Sequence, residues 1–439
     1  MSETAVQPPA ATGASNPAAP ASSRFRIALP WLASLVLLLI LPFIFRSDTY
    51  LTVMCLMGIS IVFALSYNMM LGQTGMLSFG HAVYYGLGAY FLVHVMNWVI
   101  ATRAPIPLPL MPLVGGFAGL VFAMIFGWLS TKRSGTTFSM ISLGLAELVG
   151  SSALILRTFF GGEEGVTTNR TKLLRLTDWN FGPQFQMYYL IAAWCLLCAL
   201  AMYALTRTPF GRMCNAVREN PERVQFVGYN PQVVRYIAFC LSGFFAGIAG
   251  ALAGINFEIA NAALFGAAQS GTVLLATFIG GAGTFIGPVL GAVLVSYLQV
   301  MLSDITEVWQ LYFGLMFIAV VMYAPGGLAG LFQMHAPLVR AGVFSKVLPS
   351  YLLALAPIAM LYVGLVMLVE MTVQLTTKQS EGPVMKLFGL ALRADQLWPW
   401  ALMLALLVCA YGLLRLIGPR IGAAWDAARA SALEQGIVL

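Results

Sequence analysis

An all-α protein that crosses a membrane many times is predicted by three observations. Apolar residues fill 60% of the 439 positions and charged residues only 9%, whereas a soluble domain carries about 25% charged residues. The mean hydropathy is +0.85. The apolar residues gather into runs that approach or exceed the ~18 residues marking a spanning helix, separated by short polar or glycine-rich breaks.

Residues 1–23 (MSETAVQPPAATGASNPAAPASS) are rich in Ala, Pro and Ser and have no apolar core, so they read as a disordered tail. No small-residue cleavage site follows the first apolar run, so that run reads as a retained helix. Spans are predicted over 28–45, 51–71, 82–101, 107–130, 137–156, 186–206, 235–256, 270–280, 284–302, 309–324, 347–372 and 397–417. The stretch 270–302 can be one helix, or two broken at Gly280-Gly281-Ala282-Gly283-Thr284. Charge decides. With Arg24 and Arg26 holding the N-terminus inside, the broken version gives twelve passes and two cytoplasmic termini. It puts fourteen of the 23 basic residues inside and nine outside; the unbroken version gives twelve against eleven. The positive-inside bias favours the break. A helix over 270–280 then reaches only about 16 Å against a hydrocarbon core of ~30 Å, so its glycine turn must lie against protein or a watery cavity.

The least apolar passage between spans is TRTPFGRMCNAVRENPERVQFVGYNPQVVR, with Arg207, Arg212, Arg218, Arg223 and Arg235 interleaved with Glu219 and Glu222. Asn220-Pro221 interrupts a short amphipathic run over Arg212–Glu219. A surface helix carrying both signs of charge suits a groove in a partner protein, where arginine pairs with carboxylates. The competing reading is a basic juxtamembrane loop on anionic lipid.

Other chemistry is sparse. No lysine is preceded by glycine, so there is no phosphate-binding G-x-x-x-x-G-K-[ST] loop and no cofactor is expected in this chain. There are three histidines and six cysteines, and Cys195-x-x-Cys198 sits in an apolar run without further ligands. A net charge of +7 is explained by basic residues at helix ends and calls for no nucleic acid.

Several stretches together resemble the membrane permeases of bacterial branched-chain amino acid ABC importers. They are NMMLGQTGMLSFGH at 68–81, SGTTFSMISLGLAE at 134–147, FGGEEG at 160–165, PFGR at 209–212 leading to Arg218-Glu219-Asn220 and Gly228-Tyr229-Asn230, and GGAGT with Gly287-Pro288 at 280–288, closed by PGGLAG at 325–330. Their order carries the resemblance, which covers roughly residues 30–332 and is closer to the subunit with the longer external loop. It implies a ten-helix permease core over 24–332, a bacterial inner-membrane location, and three kinds of partner besides lipid. Those are a second permease subunit, two cytoplasmic ATPases that bind the ATP, and an external solute-binding protein. Residues 333–439 depart from the pattern and add two predicted spans around a polar hairpin.

The resemblance makes the charged loop a coupling helix seated on an ATPase, with Gly211, Arg212, Arg218, Glu219, Asn220 and Glu222 as its residues. Asn68, Ser78 and His81 flank glycines in a helix–break–helix segment, and Ser139, Ser142 and Glu147 line one later span. Polar groups at such depth face protein or water, so these six are either a lining of the solute path or interhelical hydrogen bonds. Gly280, Gly281, Gly283 and Thr284 form the structural turn. The expected function is a non-enzymatic permease for branched-chain or related amino acids. The alternatives are urea, amides or aromatic acids as solute, or a self-sufficient carrier or channel. The last needs several intramembrane ionisable groups, and Glu147 is the only carboxylate deep in a predicted span.

Overall fold

The computed structural model describes residues 21–173, 179–376, 382–387 and 389–434. Sixteen helices follow in chain order: α1 (Ala21–Ile44), α2 (Asp48–Thr74), α3 (Ala82–Thr102), α4 (Pro112–Ser130), α5 (Thr136–Ile155), α6 (Arg157–Phe160), α7 (Gln184–Arg207) and α8 (Pro209–Glu219), then α9 (Pro221–Phe226), α10 (Pro231–Phe257), α11 (Ala267–Gly280), α12 (Ile286–Ile305), α13 (Trp309–Tyr323), α14 (Gly327–Arg340), α15 (Phe344–Thr376) and α16 (Leu397–Glu434). Two antiparallel pairs of strands complete the described residues: β1 (Val166–Thr167) with β2 (Ile259–Ala260), and β3 (Val384–Leu387) with β4 (Leu390–Arg393). All twelve expected spans fall on helices, and 270–302 is broken, with α11 ending at Gly280 and α12 starting at Ile286.

Nine of the described helices are long and apolar enough to cross a bilayer, or ten if α13 and α14, bent by 40°, count as one span. The apolar part of α1 and all of α11 are shorter. The expected tail needs one correction: α1 begins at Ala21, so 21–23 are helical, while 1–20 lie outside the described residues. Helix α14 lies outside the predicted spans and carries Pro337 within it.

The chain divides into two compact units, one ending at Ala329 and one beginning at Gly330. In the first, α10 is the central helix, packed by α2, α3 and α4. Glycine makes this possible. A Cβ on Gly247 would lie 2.1 Å from Gly115 O of α4, and one on Gly250 would lie 1.8 Å from Tyr85 O of α3. The backbones therefore touch, which replaces the hydrophobic drive that lipid removes. The four-residue glycine rows of α10 are consumed by packing inside this unit. In the second unit α15 and α16 pack together, and Met367, Met371 and Met403 join Met385 and Leu392 of the β3–β4 hairpin in one small core.

Candidate functional site at the α2–α3 break

Helix α2 ends because Gly75 takes a left-handed conformation (φ 71°), donating its N–H to Leu71 O, while Met76 N–H donates to Met70 O. Glycine carries this turn without a Cβ penalty. The chain then runs irregularly to His81 before α3 starts. Several polar groups of this break are taken up by other helices.

Ser139 of α5 donates to Leu77 O at 2.7 Å, and Ser142 Oγ accepts from Phe79 N at 3.1 Å while donating to Ser139 O. A Cβ on Gly80 would meet Ser142 O at 2.1 Å, so α5 lies directly on the break. Ser270 of α11 accepts from Ala82 N, capping the start of α3. Ser78 accepts from Gly80 N through its hydroxyl and from Tyr67 Oη–H through its carbonyl.

His81 is 1% exposed, stacked on Phe63 and flanked by Tyr67 and Tyr84. Ser66 spends its hydroxyl proton on Phe63 O, so the 3.0 Å contact makes His81 Nε2–H the donor to Ser66 Oγ. Nδ1 is left buried without a hydrogen-bond partner. The ring is locked in the break by its packing and its one hydrogen bond.

On the opposite flank of α2, Asn68 Nδ2 donates to Thr284 O at 3.3 Å. The turn it reaches, Gly281–Phe285, is packed as its length requires: Cβ atoms on Gly280 and Gly281 would lie 1.9 Å from Gly287 O and 2.3 Å from Gly326 O. Thr284 Oγ1 accepts from Gly287 N and starts α12. Gly283 is different, with open space where its Cβ would be.

Helix α8 approaches the same end of α2. Thr208 caps it by accepting from Gly211 N, and Pro209 is its first residue. Asn220 ends α8 and caps α9 by accepting from Arg223 N. Gly211 is obligatory, since a Cβ there would lie 2.6 Å from both Leu205 O and Thr206 O. Cys214 and Val217 form a small core with Val224, Val234 and Ala238, and burial pushes the Cys214 thiol up to about 12. Arg218 turns back to donate from Nη1 to Gly72 O. Arg212, Arg218, Glu219, Asn220 and Glu222 are exposed. So are Phe226 (89%), Val227 (70%) and Tyr229 (52%), an apolar patch that the sequence reading passed over, although FVGY stands out among the charges.

Ser78, His81, Ser139, Ser142, Asn68, Thr284 and Arg218 are thus brought to one end of the bundle. Glu147 is not among them. It lies further along α5 on an exposed face with Met140, Leu143, Gly144, Leu148 and Ser151. At the far end of the bundle, Arg170 binds Glu258 at 3.5 Å and donates to the carbonyls of Asn256 and Gly182, tying the loop after α6 to the end of α10. Among the described residues no group of three His, Cys, Asp or Glu could hold a metal. Neutral hydroxyls, amides and carbonyls dominate the break. Such groups can position helices against one another.

Comparison with known proteins agrees with this character. Residues 49–324 match the family model for the permease component of the branched-chain amino acid transport system. The chain is 25% identical over 317 residues to the high-affinity branched-chain amino acid transport system permease protein LivM of Escherichia coli, covering 67% of this chain and 73% of that one. It is 25% identical over 283 residues to LivH of the same organism, covering 61% and 90%, and 22% identical over 285 residues to BraD of Pseudomonas aeruginosa, covering 61% and 90%. No solved structure matches. The matched range runs from the first turn of α2 to the end of α13 and takes in the break, the glycine turn and α8, so this chain belongs to the family of branched-chain amino acid transport system permease components.

Proposed function

We propose that this chain is one permease subunit of an ABC importer for branched-chain or related amino acids in a bacterial inner membrane. It pairs with a second permease, receives two cytoplasmic ATPases, and takes its solute from an external binding protein. The observation that carries this reading is the α8–α9 surface. Exposed Arg212, Glu219, Glu222 and Arg223 surround bare Phe226, Val227 and Tyr229. A lipid surface would select the arginines and repel the glutamates. A protein groove takes both signs and the apolar patch together. The names of the relatives support the solute class.

The mechanism is alternating access. Closure of the ATPases displaces α8, and the permease pair opens to one side and then the other. The exposed face of α5 around Gly144 and Glu147 is the lining of the path, because a carboxylate facing lipid costs ~2.5 kcal/mol or more at bilayer centre, and one facing water or the companion subunit does not. The distribution of basic residues supports two cytoplasmic termini.

Reconstitution into proteoliposomes with the companion permease, ATPases and binding protein tests the reading. Uptake of labelled leucine, isoleucine or valine should need ATP and all subunits. Uptake driven by an ion gradient in this chain alone would overturn it, and competition with unlabelled urea, amides and aromatic acids defines the solute.

A further inference from the structure

We infer that Arg218, although exposed on α8, acts as a strut that carries the displacement of α8 into α5 and does not grip the ATPase. The inference rests on the docking reading above. Arg218 is exposed like its charged neighbours, yet its guanidinium turns back into the subunit. Its Nη1 donates to Gly72 O, 146 positions back in the chain. Gly72 lies in the last turn of α2, where backbone carbonyls lack intrahelical partners and the helix dipole is negative, so a guanidinium is the fitting group. The alkyl stem of Arg218 then covers Gly75: a Cβ there would lie 3.1 Å from Arg218 Cγ. Both contacts fall on the residues where α2 turns into the break.

From that point the connection is continuous. The break passes directly from Gly75 to Leu77 and Phe79, whose backbone groups are held by Ser139 and Ser142 of α5. Gly72 also abuts the glycine turn, since its Cβ would lie 2.3 Å from Ala282 O. A shift of α8 that pulls on the Gly72 carbonyl must therefore move the break. The break cannot move without α5, because two hydrogen bonds and the Gly80–Ser142 contact bind them. Arg212 and Glu222 stay free to meet the partner.

The test uses the assembled importer. In Arg218→Ala, ATPase subunits should co-purify at the wild-type ratio while uptake per ATP hydrolysed falls about tenfold, the scale of a lost charge-assisted hydrogen bond. Arg218→Lys keeps a donor and should restore most of the coupling. Ser142→Ala should lower coupling at the other end of the path. The double variant should be no worse than the poorer single one, because residues in one path are not additive, whereas two unrelated packing defects are. Wild-type uptake in Arg218→Ala overturns the strut. So does loss of the ATPases from that variant, which would put Arg218 in the interface, and so do additive losses. The docking reading is tested separately by Arg212→Glu with Glu222→Lys: retained ATPases there refute docking through α8–α9, whatever Arg218 does.

Discussion

The side-chain amide of Asn68 and the carbonyl of Thr284 meet at 3.3 Å across 216 positions of chain, joining the end of α2 to the glycine turn. That approach depends on Gly72. A Cβ there would lie 2.1 Å from Asn68 Oδ1 and 2.3 Å from Ala282 O. The amide could rotate away, but the backbone oxygen cannot. Gly72→Ala should therefore cost about 1–3 kcal/mol through overpacking, seen as a lower melting temperature of the purified subunit. Adding Asn68→Ala should recover little, because Ala282 remains. Full recovery would mean that the side chain alone sets the limit.

At the opposite end, Arg170 is nearly buried and serves Glu258, Asn256 and Gly182 at once. Arg170→Met leaves these carbonyls without their donor and Glu258 without its countercharge, although the backbone N–H of residue 170 still serves the carboxylate, a loss of about 1–3 kcal/mol. Glu258→Gln should be milder, since the arginine keeps its carbonyls. Thermal unfolding of both variants checks the order; equal losses would show that the ion pair, and not the carbonyl clamp, holds the loop.

How far the chain was legible follows from which physics each feature obeys. The twelve apolar runs, the break at Gly280–Thr284 and the boundary at Asn220-Pro221 come from local chemistry: hydropathy, missing side chains, and a proline with its capping asparagine. The β1–β2 pair spans two residues per strand and leaves no alternation to read. The direction of Arg218 is set by where α2 ends in space, which periodicity within α8 cannot reveal. Glu147 was expected either to pair or to line the path, and it lies exposed on α5, away from the serines of its own helix that bind the break.

In the second unit, Trp425 Nε1 donates to Tyr351 Oη at 2.8 Å, and His335 Nε2 meets the same oxygen at 2.8 Å while Nδ1 donates to Leu331 O. These contacts close the set around the Tyr351 hydroxyl. Tyr351→Phe removes both partners at once and should cost about 1–3 kcal/mol. A protease-protection assay on residues beyond Gly330 reads this locally, and uptake in proteoliposomes should change less than the unit's stability. Wild-type protection would mean the tyrosine hydroxyl contributes nothing here.

The last prediction concerns the face of α5. Gly144 has nothing within 4 Å of its missing Cβ, and Glu147, one turn on, is exposed. Enlarging either leaves the packing of this subunit intact, so Gly144→Trp and Glu147→Leu should insert and melt as wild type. If the face meets water and solute, Gly144→Trp blocks uptake by filling the path. Glu147→Gln then reports on charge alone, keeping size and hydrogen bonding. A fall of about tenfold or more in uptake with Gln, matched by Leu, assigns the role to the carboxylate charge, each factor of ten being 1.4 kcal/mol. If Gln is normal and Leu is not, a hydrogen bond is the working interaction. Normal uptake in all three variants would remove this face from the path.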